Sequence, residues 1–394
     1  MKSIDILPSD HERATLVGRM FDPALGGPCL VHLRGDRLVD ITSAGPTMAD
    51  LLELDDPVAT LHAVPSTKSY SFEEILGDSL AQRTDRPHLL APCDLQAVKA
   101  CGVTFARSMI ERVIEERAKG DPARALAIRE QVDHAVGGAL TNVQAGSPEA
   151  ARVKQVLIES GYWSQYLEVG IGPDAEVFTK APVLSAVGVG SEVGILRASS
   201  WNNPEPEAVL AVNSRGVVKG ATLGNDVNLR DIEGRSALLL GKAKDNNASC
   251  ALGPFIRLFD DGFGIDDVRR LEITLTITGA SDNYELRGSS SMSEISRDPL
   301  DLVAQAIGRH HQYPDGLMLF LGTLFAPTQD RDVAGQGFTH KQGDLVEIMA
   351  PSLGRLVNTV TFSDEAPAWT FGISALMRNL AHRGLVGAVP RVTQ

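Results

Sequence analysis

The sequence predicts an α+β fold, with a closed or rolled sheet in its larger part and a small α+β unit in front of it. Three observations lead there. From about residue 180 onward, short apolar runs of strand character follow one another with only two helical interruptions, near 230–240 and 293–308. The spans between matching strands do not suit a simple parallel α/β order. A block of helical composition, about 106–166, stands after the first strand of the larger part, where a helical insertion would stand.

The elements follow in order. Leu30-Val31-His32-Leu33 and Leu38-Val39-Asp40-Ile41 flank Arg34-Gly35-Asp36-Arg37, the pattern of a β-hairpin around a Gly-Asp turn. Two helices are expected near 46–55 and 71–82, the second started by Ser71 with Glu74 three residues on, a capping box. The proline-rich step Arg86-Pro87-His88 to Ala91-Pro92-Cys93 marks a boundary, giving an N-terminal α+β domain over 1–97 and a catalytic domain over 98–394. Val98 to Phe105 reads as a strand and its exit. Met109, Ile110, Val113 and Ile114 then recur at helical spacing, a second helix covers 122–135, and a third runs about 148–160 from Ser147-Pro148. Further strands are expected at 193–197, 208–213, 217–223, 254–259, 270–278, 283–288, 317–321 and 344–349.

Composition narrows the function. The 394 residues are 43% hydrophobic and 22% charged, with a net charge of −13. A strongly negative surface repels phosphate, which argues against nucleic acid or an anionic membrane as partner. A small anionic substrate stays compatible, because a local cation inverts the field. The four cysteines, Cys29, Cys93, Cys101 and Cys250, form no CxxC and no zinc-like spacing, as expected of reduced thiols in a cytoplasmic protein. No stretch approaches the roughly 20 apolar residues of a membrane helix.

The chemistry concentrates in Asn202-Asn203-Pro204-Glu205-Pro206-Glu207. Two glutamates two apart on an extended segment share a face, and the prolines place them at a strand start or edge. Like charges on one face need a neutraliser, and a divalent cation is one; a solvated strand face is the plainer alternative. Gly224-Asn225-Asp226-Val227-Asn228-Leu229-Arg230-Asp231 ends a strand and precedes a helix, so Asp226 is either a third carboxylate for Mg²⁺ or Mn²⁺ or, like Asp231, a helix cap. Lys242 and Lys244 follow; beside a bound cation a lysine has its neutral form favoured and can carry a proton.

Together these blocks resemble the fumarylacetoacetate-hydrolase superfamily. The likeness includes Lys244-Asp245, Gly253-Pro254-Phe255, Gly322-Thr323, Lys341 to Glu347 and Leu353 to Asn358, in order over about 98–362. It implies a mixed β-roll with flanking helices, a homo-oligomer (dimer or tetramer), Glu205, Glu207 and Asp226 as metal ligands, and Lys244 as the active-site lysine. Only 18 residues separate Glu207 from Asp226, across a turn at Asn213-Ser214-Arg215-Gly216. That spacing is similar to the 2-keto-3-deoxy-arabinonate and 2-keto-3-deoxy-pentonate dehydratases, and Glu176 and Lys180 match their Glu-x-Phe-x-Lys segment. Gly102 to Glu111 is similar to the family's Gly-x-Asn-Tyr-x-x-His-x-x-Glu, but Ser108 stands where the hydrolases keep a histidine. A serine is no general base near neutral pH, so water activation loses its proton acceptor.

The resemblance therefore implies a metal-dependent dehydratase acting on a 2-keto-3-deoxy sugar acid, a pentonate giving 2-oxoglutarate semialdehyde. Lys244 or Glu176 would take the C3 proton, with Glu111 a further catalytic candidate. Ser108, Arg107, Thr323 and Lys180 are expected to contact substrate. The rival reading is hydrolysis of a carbon–carbon bond in a 2,4-diketo acid, with Glu111 or Glu176 positioning water.

Overall fold

The computed structural model describes residues 3–132, 143–325 and 327–386. The chain first builds β1 (Leu16–Asp22), β2 (Gly27–Arg34) and β3 (Arg37–Asp40), then α1 (Met48–Glu53), α2 (Pro57–Ala63), β4 (Ser69–Ser71), α3 (Phe72–Leu80) and β5 (His88–Leu90). Caps fix these helices where the sequence places them. Thr47 and Asp50 form a reciprocal capping box on α1, and Ser71 accepts from the Glu74 amide at the start of α3, each cap worth about 1 kcal/mol.

After β6 (Ala97–Cys101) come the inserted helices α4 (Ala106–Ala118), α5 (Pro122–Val132), α6 (Pro148–Glu159) and α7 (Gln165–Ile171). Residues 133–135, expected to continue α5, lie outside the described residues. The four helices bury Met109, Val113, Ile114, Leu157 and Leu167 against one another, with Trp201 closing the cluster. Next in order are β7 (Val177–Ala181), β8 (Glu192–Ile195), β9 (Asn202–Asn203), β10 (Pro206–Val212), β11 (Val218–Asp226), β12 (Asn228–Leu229), α8 (Arg230–Glu233), α9 (Leu240–Lys244) and β13 (Cys250–Leu258). The chain ends with α10 (Ile265–Val268), β14 (Glu272–Thr278), β15 (Glu285–Ser291), α11 (Pro299–Ala306), β16 (Leu317–Phe320), β17 (Leu345–Ala350), β18 (Gly354–Phe362) and α12 (Ile373–His382). Strands β1, β4, β5, β7, β9, β12 and β18 and helices α2, α7, α10 and α12 are additions to the sequence reading, and the helix expected over 293–308 is α11 after a short 3₁₀ turn.

Among the described residues an eleven-stranded mixed sheet runs β4-β3-β2-β1-β13-β11-β10-β16-β6-β7, with β5 also on β1. A second sheet of five strands runs β15-β14-β17-β18-β8. Only the β16–β6 and β18–β8 pairs among these are parallel. The long sheet crosses the boundary expected at residue 97, because β1 pairs with β13, Leu16 standing opposite Arg257.

Strand periodicity sorts the core. Leu210 and Val212 of β10 face the five-stranded sheet, where Ile273, Leu275, Val346 and Ile348 meet them. Val209 and Ala211 face the other way, toward Leu51, Leu52 and Leu61 of α1 and α2. Burying each such side chain contributes roughly 1.5–3 kcal/mol, so β10 is held from both faces. It is a central strand, paired with β11 and with β16, and not an edge. Pro206 is accommodated because it is the first residue of the strand. No helix among the described residues is long and apolar enough to cross a membrane.

Candidate active site

The turn Asn213 to Gly216 sets the register that makes the site. Asn213 Oδ1 accepts from the Arg215 and Val217 amides at 3.1 and 3.0 Å, and Gly216 takes φ of +77°. Folding back from it, β10 and β11 place Glu207 opposite Gly224 and Pro206 opposite Asn225. The next step brings Glu205 against Asp226, whose amide donates to the Glu205 carbonyl at 3.0 Å. Glu205, Glu207 and Asp226 thus emerge on one face at one sheet end, all buried, with carboxylate oxygens within 4.8 Å of one another. Asp226 caps no helix: α8 has Leu229 at its N-cap and no side-chain cap, and Asp231 instead accepts from Ser199 and Ser200.

Each carboxylate has its own support. Glu207 accepts from the Gly322 amide at 2.7 Å and from Thr323 Oγ1 at 3.1 Å. Gly322 has φ of +101°, and a Cβ there would lie 1.9 Å from Thr104 Oγ1, so a glycine is required to aim this amide. Thr323, expected on substrate, is spent on Glu207. Glu205 is paired with Lys244 Nζ and with Arg112 Nη2. Asp226 Oδ2 takes Lys244 Nζ at 3.0 Å, and its Oδ1 has Lys180 Nζ at 2.9 Å. Lys180 is fully buried and also donates to the Val227 and Lys244 carbonyls. It stands behind the carboxylates and does not line the cavity.

The cavity in front of them spans about 300 Å³, open solvent at its mouth included, and is lined by Gly102, Ser108, Arg112, Glu176, Phe178, Glu205, Asp226, Glu233, Lys244 and Thr323, with Cys101 and Val103. Ser108 reaches it, but its hydroxyl donates to the Phe105 carbonyl at 2.8 Å and accepts from the Phe105 amide, closing the first turn of α4. Glu111 is not brought to the site. Its carboxylate is held by Arg129 at 2.6 Å and Arg230 at 2.9 Å and does not line the cavity. The side chain of Arg107 lies outside the described residues. Two residues the sequence reading passed over take part instead: Arg112, which bridges Glu205, Glu115 and Glu233, and Glu233 itself. The signal available was helical spacing, since 108, 112 and 115 share one face of α4; the same spacing also admits 111, so it could add Arg112 without removing Glu111.

Burial and charge set the protonation states. Burial alone would raise Glu205, but Lys244 and Arg112 outweigh it and hold the carboxyl down near 2. Burial and the Asp226 and Glu205 charges push Glu207 well above the glutamate range. Lys244 is desolvated, yet Asp226, Glu205 and Glu233 raise its pKa above the lysine norm, so the carboxylates alone keep it an ammonium. Its neutral form therefore depends on a further cation at the carboxylates. Glu176 is raised chiefly by burial.

The donor set fits a divalent cation. Three hard carboxylate oxygens converge, as Mg²⁺ and Mn²⁺ prefer, and Asp226 Oδ1, though close to Lys180, lacks a hydrogen-bond partner. Around the site seven carboxyls (Glu111, Glu115, Glu176, Glu205, Glu207, Asp226, Glu233) face five cations (Arg112, Arg129, Arg230, Lys180, Lys244). Fully ionised, that cluster is two positive charges short.

Residues 174–361 match the family described as fumarylacetoacetate (FAA) hydrolase C-terminal. Over this segment, a little under half of its length, the chain is similar to that family. All three carboxylates, Lys180, Lys244 and Glu176 lie within it, whereas Ser108 and Arg112 precede it. A probable 2-keto-3-deoxyxylonate dehydratase of Haloferax volcanii is 32% identical over 204 residues, 52% of this chain and 66% of its own length. A 2-dehydro-3-deoxy-D-arabinonate dehydratase of Saccharolobus solfataricus is 31% identical over 185 residues, 47% of this chain and 58% of its own length. The matched stretches thus span less than two thirds of these curated relatives. A solved 2-keto-3-deoxy-D-arabinonate dehydratase, complexed with magnesium and 2,5-dioxopentanoate, superimposes with a TM-score of 0.60 at 20% identity, covering 88% of this chain and 99% of that one. At that identity the likeness is one of fold, and the fold is of the fumarylacetoacetate-hydrolase type.

Proposed function

We propose that this protein is a metal-dependent dehydratase of the fumarylacetoacetate-hydrolase type, removing water from a 2-keto-3-deoxy sugar acid, with a pentonate going to 2-oxoglutarate semialdehyde. The observation that carries the reading is the pairing of a buried three-carboxylate cluster with Lys244 in a cavity that has no histidine among its described lining residues. The names of the two curated relatives point the same way. Glu205, Glu207 and Asp226 would hold the cation, Mg²⁺ or Mn²⁺, which when bound polarises the 2-keto acid as a Lewis acid and makes its C3 proton acidic.

The chain's own residues do the rest. Lys244 and Glu176 face the cavity as the groups that take the C3 proton, and Lys180 holds Asp226 from behind. Arg112 and the capped start of α4 close the cavity on the helical side. Hydrolysis of a 2,4-diketo acid needs an activated water. Of the two residues offered for that, Glu111 is engaged with two arginines while Glu176 lines the cavity, and Ser108, where the hydrolases keep a histidine, is engaged with Phe105. A cytoplasmic homo-oligomer is part of the same reading; the four unpaired, buried cysteines and the exposed apolar row Trp369, Ile373 and Met377 support it.

The test is incubation of the purified protein and Mg²⁺ with a panel of 2-keto-3-deoxy acids and 2,4-diketo acids, followed by mass spectrometry. Loss of one water from a 2-keto-3-deoxy acid is expected. Cleavage of a diketo acid with no dehydration of any panel member would overturn the reading.

A further inference from the structure

Glu233, the last residue of α8, has no role in the reaction described so far. It is buried, with 4% of its surface exposed, and it lines the cavity. Its Oε2 has no hydrogen-bond partner, although Arg112 Nη1 stands 3.1 Å away. That oxygen is ion-paired with Arg112 without hydrogen-bond geometry, so it keeps the capacity to hydrogen-bond a ligand in the cavity. Glu233 is also the one cavity-lining carboxyl, besides Glu176, that is not in the metal-binding triad.

The cavity has two walls. On one, Glu176 precedes β7 and shares the strand parity of Phe178, whose ring centroid lies 5.7 Å from Lys244 Nζ. That wall carries Glu176, and Lys244 of α9 stands between it and α8. On the other, α4 and α8 present Arg112 and Glu233. Elimination of water needs a second proton, delivered at a different atom from the first. We infer that Glu233 is the general acid that protonates the hydroxyl leaving C4.

This rests on the dehydratase reading and deepens it. The base takes the C3 proton and the C3–H electron pair moves into the enolate. That pair then forms the C3=C4 bond as the C4–O pair departs with oxygen. Glu233 supplies the proton that turns the departing hydroxyl into water and is left as a carboxylate. One water leaves, the base holds one proton more and Glu233 one fewer, and solvent exchange resets both. Burial, opposed by the Arg112 and Lys244 charges, leaves the Glu233 carboxyl raised to about 7, so it carries a proton through much of the neutral range.

The alternative is that Glu233 serves only as counter-ion to Arg112. Two half-reactions separate the roles: exchange of the C3 hydrogens with D₂O, followed by NMR, and release of water. With 2-keto-3-deoxypentonate and Mg²⁺, E233Q is expected to keep exchange within about threefold of wild type while water loss falls about 10²–10⁴-fold. Its Mg²⁺ affinity by calorimetry is expected to be unchanged. Exchange and water loss falling together, or water loss held within about fivefold, overturns the inference. Should E233Q not fold, E233D keeps the charge and withdraws the carboxyl by one methylene. Its ratio of exchange to water loss is expected to rise at least about tenfold, and a wild-type ratio overturns the inference. Failure of the wild-type protein to dehydrate any 2-keto-3-deoxy acid sinks the dehydratase reading itself, and this inference with it.

Discussion

A Cβ on Gly102 would stand 1.8 Å from Glu176 Oε2 and 2.7 Å from its Cδ, so the Glu176 carboxyl occupies the space a side chain at 102 would claim. The two residues are also joined by the backbone, the Gly102 amide donating to the Glu176 carbonyl at 3.2 Å. Gly102→Ala is therefore expected to turn Glu176 away from the cavity. Turnover should drop roughly 10- to 100-fold, the lower part of what a proton-transfer group contributes, while Mg²⁺ affinity stays near wild type. Steady-state kinetics and calorimetry check this; undiminished turnover would remove Glu176 from the chemistry.

Lys244 is wedged between Glu205 and Asp226 and neutralises both. Lys244→Met leaves buried carboxylates uncompensated, which typically costs about 3–5 kcal/mol. The variant should melt well below wild type in EDTA and recover most of that difference on adding Mg²⁺, which supplies the missing charge. Its turnover should stay at least about 10²-fold down even with Mg²⁺. A Tm deficit that Mg²⁺ leaves untouched would mean the cation does not bind at these carboxylates.

Glu207 makes metal binding pH-dependent. Its carboxyl is raised well above the ordinary value of 4.5, so the metal-free folded chain holds a proton there that a cation must displace. Mg²⁺ affinity should climb with pH above 4.5, by up to about tenfold per unit, until the raised value is passed. Stability of the metal-free protein runs oppositely through this residue: fully present below 4.5, and lost as pH rises through the folded value. Calorimetric titrations across pH test the first statement. Glu207→Gln should abolish the slope and weaken binding, and a pH-independent affinity in the wild-type protein would contradict the assignment.

Ser108 spends its hydroxyl on the Phe105 backbone. Ser108→Ala should cost about 1 kcal/mol of stability, as for a lost helix cap. Its effect on turnover should stay within about fivefold, the scale of one ordinary hydrogen bond. Thermal melts and product assays together check this. A loss of 10²-fold or more would restore a water-activating role to that position.

Much of the site was legible because it is local. Period-2 alternation put Glu205 and Glu207 on one face, and the turn at Asn213 to Gly216 fixed the register that brings Asp226 to them. Ser71, Ser147 and Asp298 cap the helices that follow them, each with its own side chain. The mixed rolled architecture was legible through the family blocks.

What the tertiary structure alone decided are the pairings between distant segments. Glu111 and Glu115 lie one helical turn apart, and the docking angle of α4 determines which of them approaches the carboxylates. Arg112 finds Glu205 across 93 residues and Arg230 finds Glu115 across 115, contacts that no local spacing encodes. Lys180, expected on substrate, ends against Asp226 although it shares the strand parity of Glu176 and Phe178, because the register shift between Val98 and Lys99 leaves it as an extra residue of β7. The first strands joined the long sheet for the same kind of reason: β1 satisfies its backbone donors on β13, some 240 residues away, and hydrogen bonding of that range leaves no periodicity in the sequence. Composition and local pattern therefore determined which side chains carry charge and which way each faces its own element. The packing of elements determined which of those charges meet, because a buried charge is stable only beside a partner, and the fold brings that partner from elsewhere in the chain.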